Sequence, residues 1–334
     1  MYGQSVITSV DFRRFKALRE ACVELKPFNL VIGPNGSGKT SLIQALLRLR
    51  TLSRLAGETN PTSQETRSAG PAIEFRFGPP NDSATARLSC VSEMVCDQVE
   101  FAGIDVAARK TLQAWIAGIR GYLFDHYAMA AGGVAAAGLE LAANGANLAV
   151  VLTNLQTEHP VAFGRLQDEL VRIMPEFGAI KFQRTGQTVQ LALTLSDDSG
   201  VVSADNLSQG TLYALGMMFL AFHPAPPSVV CIEEIDRGIH PRMLREVRDL
   251  LYRLSYPGDF NENRPPVQVI ATTHSPYLLD LFKNHPEEII ISQKHGTSAH
   301  FERLADRDDL ADLLSEGSLG DIWFSGILGG VPEE

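Results

Sequence analysis

Hydrophobic and polar positions change rhythm along the chain, and the changes mark its elements. Ser5-Val-Ile-Thr-Ser-Val-Asp-Phe12 alternates loosely, Arg13 and Arg14 follow, and Ala21-Cys-Val-Glu-Leu25 alternates again. A period of two puts successive side chains on opposite faces, so these segments predict two antiparallel strands. Phe28-Asn-Leu-Val-Ile32 and Ser228-Val-Val-Cys-Ile232 are instead short apolar runs, as central strands covered on both faces are. From Ser41 onward, leucine and isoleucine recur at helical spacing. Ile73-Glu-Phe-Arg-Phe77 predicts a further strand and Pro79-Pro-Asn-Asp82 a turn, with strand-like sequence continuing to about Phe101.

Between Lys110 and Phe177 the pattern becomes helical. Leu148 to Leu155 and Phe163 to Met174 each show one apolar face, and Pro175 stops the second. The Ala/Gly tract Ala128 to Ala146 is expected to be flexible or loosely helical, and polar Ala56 to Pro71 a mobile loop. Val189, Leu191, Leu193 and Leu195 mark a half-buried strand, Leu212 to Phe222 an apolar helix, and Val267 to Thr273 a strand. These changes suggest boundaries at 1–109, 110–177, 178–305 and a tail from 306, in which Trp323 and Phe324 serve packing or docking. No heptad array or 20–50-residue repeat is present, which excludes a long coiled-coil arm.

One junction carries chemistry. Between Ile32 and the first helix lies Gly33-Pro-Asn35-Gly36-Ser37-Gly38-Lys39-Thr40, followed by Ser41. This is G-x-x-x-x-G-K-[ST] in the strand–loop–helix context that cradles a phosphate chain. Glycine lets the backbone turn so that successive N–H groups point at phosphate oxygens, and the helix N-terminus adds its positive field. Lys39 reaches the terminal phosphates, and the Thr40 hydroxyl can ligate Mg2+.

Four further segments acquire meaning beside that loop. Glu233 and Glu234 close the apolar run from Ser228. The first would hold Mg2+, directly or through water, and the second would orient and deprotonate an attacking water. Asn206-Leu-Ser208-Gln209-Gly210-Thr211 precedes the apolar helix. It reads either as an ordinary capped helix start or as an N-terminus offered to a γ-phosphate. His274 ends the strand Val267 to Thr273 and is either structural or a donor to that phosphate or its water. Ile235-Asp236-Arg-Gly-Ile-His240-Pro241 links the acid pair to a helix.

Charge and cysteines narrow the setting. The net charge is −10, so nucleic-acid contact would need a local basic patch or a partner. Cys22, Cys90, Cys96 and Cys231 form no C-x-x-C pair, and reduced thiols in a cytoplasmic protein are expected. The Ala/Gly-rich stretch Ala128 to Val151, with its many small residues, Glu140 and two asparagines, makes a poor membrane-spanning helix, and the opening residues lack a signal-peptide pattern.

Together, and in this order, the motifs resemble the ABC-class ATPase heads of the SMC, RecF and OLD group. Gly33–Thr40 matches Walker A, Leu207–Gly210 the signature loop and Ile232-Glu-Glu234 Walker B. Asp236 falls in the D-loop region, and His274 looks like the switch histidine. Val10-Asp-Phe-Arg-Arg-Phe15 resembles the group's N-terminal strand, whose basic residue reaches nucleotide phosphates, here Arg13 or Arg14. The flanks of Glu234 and His274 look like those of compact ATPases found beside restriction and phage-defence genes.

The resemblance implies an α/β P-loop NTPase with a mixed central sheet, N-terminal antiparallel strands and a helical lobe. It implies ATP and Mg2+ as ligands, and a homodimer that sandwiches ATP. Lys39, Thr40 and Glu233 would hold ATP–Mg2+, Ser208, Gln209 and Gly210 would complete the site from the second copy, and Glu234 would activate water. The expected role is ATP hydrolysis gating a DNA-linked process in phage defence or DNA repair. A separate effector, a nuclease among the candidates, and DNA or RNA are the expected partners, without a membrane. The alternative is an ATP-energising subunit of a transporter, against which stand the Phe-Arg-Arg-Phe start and the Glu-Glu pair. Two departures stand out: Glu233 replaces the aspartate of most ABC heads, and the Q-loop glutamine has only Gln64 and Gln98 as candidates.

Overall fold

The computed structural model describes residues 6–55, 70–296 and 298–328. Gln64 and most of the loop expected from Ala56 lie outside the described residues. The chain divides into two compact units. The first gathers the described residues of Met1–Gly121, Ser228–Glu233 and Pro265–Glu334, the second Tyr122–Pro227 and Glu234–Arg264.

The first unit contains two sheets. In the antiparallel one the order is Leu18–Glu24, Ile7–Phe15, Ala72–Phe77, Thr85–Ser92, Val95–Ala102. The mixed sheet runs Ser298–Arg303, Ile289–His295, Phe28–Ile32, Gln268–Thr273, Val229–Ile232, Ile119–Tyr122. Every residue of Phe28–Ile32, Val229–Ile232 and Gln268–Thr273 is buried, which is why these central strands read as continuous apolar runs. The two long polar side chains among them are satisfied. Gln268 Oε1 accepts from the Ile7 N–H at 2.9 Å, and Asn29 Nδ2 donates to the Lys26 carbonyl at 2.7 Å.

Helix Lys39–Leu55 buries Leu42, Ile43, Ala45, Leu46 and Leu49. They share one cluster with Phe12, Phe15 and Phe75 of the antiparallel sheet and Val31, Cys231 and Ile270 of the mixed one. A fully buried leucine or isoleucine contributes about 1.5–3 kcal/mol, against a few tenths per residue for helix propensity. Burial therefore fixes the helix's rotation. Helix Leu319–Phe324 buries Trp323 but leaves Phe324 83% exposed, and the Gly320 N–H donates to Asp280 Oδ1 at 2.7 Å. The tail thus packs through its tryptophan.

One expectation is corrected here. Cys90 and Cys96 are joined by a disulfide, whereas reduced thiols were expected. The two are cross-strand partners in the hairpin of Thr85–Ser92 and Val95–Ala102, a pairing that a search for C-x-x-C does not reveal.

In the second unit, Thr188–Leu195 pairs antiparallel with Phe177–Thr185, Val201–Ser203 and the short Gly133–Val134. The longer helices are Leu148–Glu158, Pro160–Ile173, Gln209–Phe222 and Leu244–Ser255. Every residue from Gly210 to Phe222 is buried, so that helix is apolar all round. Leu244–Ser255 buries only the stripe Leu244, Val247, Leu250, Leu251, Leu254 and Ser255. The Ala/Gly tract is less helical than expected: after one turn, His126–Ala130, it runs through the short strand and successive turns to Asn147. Glycine is a poor helix former, and the Asn147 side chain holds the turns instead, accepting from the Ala142 N–H and donating to the Glu140 carbonyl, each at 2.8 Å.

Candidate functional site

The mixed sheet sets the site of the first unit. Phe28–Ile32, Gln268–Thr273 and Val229–Ile232 are adjacent and parallel, so their C-terminal ends emerge at one edge. Gly33, His274 and Glu233 follow those three ends directly. Ligands of open α/β sheets bind at this edge.

The phosphate loop has the conformation its glycines permit. Gly36 and Gly38 take φ of +76° and +103°, which L side chains rarely adopt. Around the open Gly36 position a Cβ would meet nothing within 4 Å, whereas at Gly38 it would lie 2.9 Å from the Leu18 side chain. Lys39, 8% exposed, folds its amine back onto the loop, donating to the carbonyls of Gly33 at 2.7 Å and Pro34 at 2.9 Å. Asn35 is exposed and Ser41 half-buried. The Ser37 hydroxyl is buried, with no hydrogen-bond partner among the described residues. Buried donors of this kind are costly unless something accepts from them.

Thr40 and Glu233 meet. The Thr40 hydroxyl donates to Glu233 Oε2 at 2.8 Å. A hydroxyl and a carboxylate are hard oxygen donors, the kind Mg2+ takes when a substrate's phosphates supply the rest of its shell. The chain's residues fit ATP–Mg2+ on three grounds: this pair, the orphaned Ser37 hydroxyl and the lysine amine held at the loop. Glutamate in place of aspartate extends the carboxylate by one methylene, and in this structure it reaches the threonine. Two residues earlier, the buried Cys231 thiol is pushed far up, first by burial and then by the Glu233 carboxylate, so it packs as an inert thiol.

Sequence reasoning missed one residue that shapes the loop. Ser292, wholly buried on Ile289–His295, donates from its hydroxyl to the Ser37 carbonyl. A Cβ on Gly33 would fall 2.2 Å from the Ser292 carbonyl oxygen, so that strand passes directly against the loop. Lone serines on strands carry no signal in a single sequence.

Arg13 and Arg14 do not stand alone. They line a groove on the antiparallel sheet with Arg19, Arg76 and Arg87, interleaved with Asp11, Glu20 and Glu74. Arg76 lies 3.6 Å from both Asp11 and Glu74 carboxylates, and Arg19 pairs with Glu93. Leu18, just beyond the arginines, packs near Gly38 together with Ala299 and Phe301. Gln98 sits on the outermost strand, paired with Ser89.

In the second unit, Ser208 caps helix Gln209–Phe222. Its Oγ accepts from the Thr211 N–H at 3.1 Å and lies 2.8 Å from the Thr211 hydroxyl. Gln209 Nε2 donates to the Tyr213 hydroxyl at 3.0 Å, and that hydroxyl donates to the Phe124 carbonyl. A Cβ on Gly210 would lie 2.8 Å from the Gly238 carbonyl, and one on Gly238 2.4 Å from the Gln209 side chain. The helix start and the turn containing Asp236 are therefore packed together, which sequence order alone did not reveal. Glu234 takes the left-handed conformation, φ 52°, uncommon for glutamate and of the kind that clusters at functional sites. Its carboxylate is half exposed, 3.8 Å from Arg237 Nη1.

A mixed sheet bearing a glycine phosphate loop, an antiparallel sheet in the same unit and a second, helix-rich unit make up the fold of an SMC-like P-loop NTPase head. The chain belongs to the family described as AAA domain, putative AbiEii toxin, type IV TA system, which matches residues 28–88 and 137–280, more than half of its length. Its fold is similar to that of an SMC head bound to the C-terminal winged-helix domain of ScpA (TM-score 0.59, 14% identity, covering 89% of this chain and 96% of that one). It is also similar to an Smc head with an extended coiled coil, bound to the C-terminal domain of ScpA from Pyrococcus furiosus (0.58, 10%, 94% and 99%). The SMC head domain from Thermotoga maritima matches at 0.51, with 13% identity over 89% of this chain and 98% of that one. No curated protein sequence matches the chain. Among the described residues no helix is long and apolar enough to cross a membrane.

Proposed function

We propose that the protein binds and hydrolyses ATP and that ATP closes two copies of it into a dimer, whose opening and closing gates a DNA-linked process. The observation that carries this reading is the Thr40–Glu233 hydrogen bond beside a lysine held at the phosphate loop. Lys39, Thr40 and the loop N–H groups from Asn35 to Ser41 hold the phosphates, and Thr40 and Glu233 hold Mg2+. That ion neutralises charge developing on the phosphates. Glu234 takes the proton of the attacking water, and His274 donates to the γ-phosphate.

Ser208, Gln209 and Gly210 act from the second copy. Their helix start, capped by Ser208, offers its N-terminal field to the phosphates bound by the first copy. Asp236, packed with that helix start, carries the nucleotide state onward, and Arg13 or Arg14 contributes charge to the nucleotide side. Within this reading the setting is cytoplasmic, the process is phage defence or DNA repair, and the effector is a separate protein such as a nuclease. DNA or RNA would meet the arginine groove of the antiparallel sheet, whose charge is reduced by the acids Asp11, Glu20 and Glu74 among its arginines.

The test is the Glu234→Gln variant with ATP and Mg2+, followed by light scattering. The expected result is retained ATP binding and a molar mass doubled from 36.4 kDa. A monomer that binds ATP without doubling would overturn the dimer reading.

A further inference from the structure

Along the last strand of the antiparallel sheet, the alternation of inward and outward residues breaks at Cys96. From Thr85 opposite Ala102 to Ser89 opposite Gln98 the hairpin keeps one register, and Ser92 opposite Val95 at its tip keeps it too. In that register Ala86 and Leu88 pair with Phe101 and Val99 on the face that packs against the core. Cys90 would then stand opposite Asp97, and Cys96 would point away from the core with Gln98 and Glu100. Instead Cys90 pairs with Cys96, bonded through sulfur, and both are buried. The register slips once on each side of the pair, making Asp97 the extra residue of one bulge and Val91 that of the other. The bridge therefore holds two bulges that the remaining hairpin does not need.

Those bulges aim the tip, because a bulge bends its strand and tightens the local twist. The tip meets the turn between Ile7–Phe15 and Leu18–Glu24. The Glu93 carbonyl accepts from the Lys16 N–H at 3.1 Å, and the Glu93 carboxylate pairs with Arg19. This turn backs the phosphate loop. Lys16 Nζ donates to Gln44 Oε1 on helix Lys39–Leu55, and Leu18 packs near Gly38. A continuous line of contacts thus runs from the bridge through Glu93 and Lys16 to the loop.

Reagents can reach the bridge. Cys90 and Cys96 are 6% and 8% exposed, so they are sheltered without being sealed. Cys96 lies on the last strand of its sheet, between exposed Val95 and Asp97, and Val91 beside Cys90 is exposed as well. In the cytoplasmic setting proposed above, a disulfide is normally one that exchanges.

We propose that Cys90–Cys96 is a reversible thiol–disulfide site, opened by a dithiol and closed by a disulfide, whose oxidised form keeps the hairpin tip on the turn behind the phosphate loop. In opening, one thiolate of the dithiol attacks Cys96 Sγ and Cys90 leaves as a thiolate. The reagent's second thiolate then displaces Cys96 as the reagent closes its own disulfide. Two electrons pass to the bridge, and the two cysteines take up the two protons the dithiol gives up. The effect on ATP rests on the ATP reading above, whereas the effect on the tip does not.

The experiment uses the full-length Cys22→Ser variant, which removes the exposed free thiol. It is compared after treatment with dithiothreitol and after reoxidation with oxidised glutathione. Thiol titration counts the opened bridge, amide hydrogen exchange follows peptides covering Lys16 to Leu18, and calorimetry follows ATP. Reduction should release two further thiols and speed exchange at Lys16 about fivefold or more, the worth of a hydrogen bond lost. ATP affinity should fall about threefold or more, and reoxidation should restore both. The Cys90→Ser/Cys96→Ser double variant should match the reduced protein under either treatment. A bridge that dithiothreitol does not open in the folded protein, or exchange at Lys16 indifferent to reduction, would overturn the proposal. Faster exchange with unchanged ATP affinity would overturn the coupling to the phosphate loop. If neither form binds ATP, the ATP reading and that coupling fail together, while exchange at Lys16 still decides the redox site.

Discussion

Two helix starts in this chain, Lys39–Leu55 and Gln209–Phe222, follow glycine-bearing loops yet are built differently. At the first, positive-φ glycines curl the backbone, a serine hydroxyl is buried without a hydrogen-bond partner among the described residues, and the lysine amine donates to two carbonyls of its own loop. At the second, the capping hydroxyl is engaged, the glutamine is bonded to a tyrosine, and the glycine serves close packing against the next turn. The first keeps one buried hydroxyl unpartnered among the described residues, beside a lysine amine held on the loop. The second is internally satisfied and offers a rigid edge. A composite site divides labour in this way: one surface holds the ligand, and the other completes it.

That contrast can be broken or sharpened experimentally. The largest expected effect is on turnover: Glu234→Gln should lower the hydrolysis rate about 10²–10⁴-fold, the usual worth of a general base, measured as phosphate release under saturating ATP. Near-normal release would remove Glu234 from the chemistry. Next, Lys39→Ala should weaken ATP binding about a hundredfold, as loss of charge-assisted bonds does, with little change in the melting temperature. A large fall in melting temperature instead would mean that the lysine's bonds to Gly33 and Pro34 are structural. The second helix start should respond in the opposite sense. Gly210→Ala forces a Cβ toward the Gly238 carbonyl and should cost about 1–3 kcal/mol of stability by urea unfolding, while ATP binding to a single copy stays intact. The smallest effect is that of Ser208→Ala, about 1 kcal/mol for the lost cap.

Much of this was legible in the sequence because it depends on local chemistry. The phosphate loop needs glycine at fixed positions, and the buried strands need unbroken apolar runs, so Gly33–Thr40, Ile32 and Ile232 announced themselves. What stayed hidden depends on pairing between distant segments. Ser292 reaches the loop only because its strand lies beside Phe28–Ile32, and Gly238 meets Gly210 only in the folded second unit. The Cys90–Cys96 bridge required knowing the hairpin register. The Ala/Gly tract misled for another reason: alanine argued for helix, while the polar grip of Asn147 on its neighbours favoured turns.

The central claim is that the loop of one copy and the helix start of another make a single site, and mixing two defective variants tests it most directly. Lys39→Ala lacks the holding surface, and Ser208→Arg blocks the completing one. Each alone should hydrolyse no ATP. An equimolar mixture forms heterodimers in which one of the two sites pairs an intact Lys39 with an intact Ser208, so about a quarter of the unmodified activity should return. A mixture as inactive as its components, or a Ser208→Arg protein active by itself, would contradict the account.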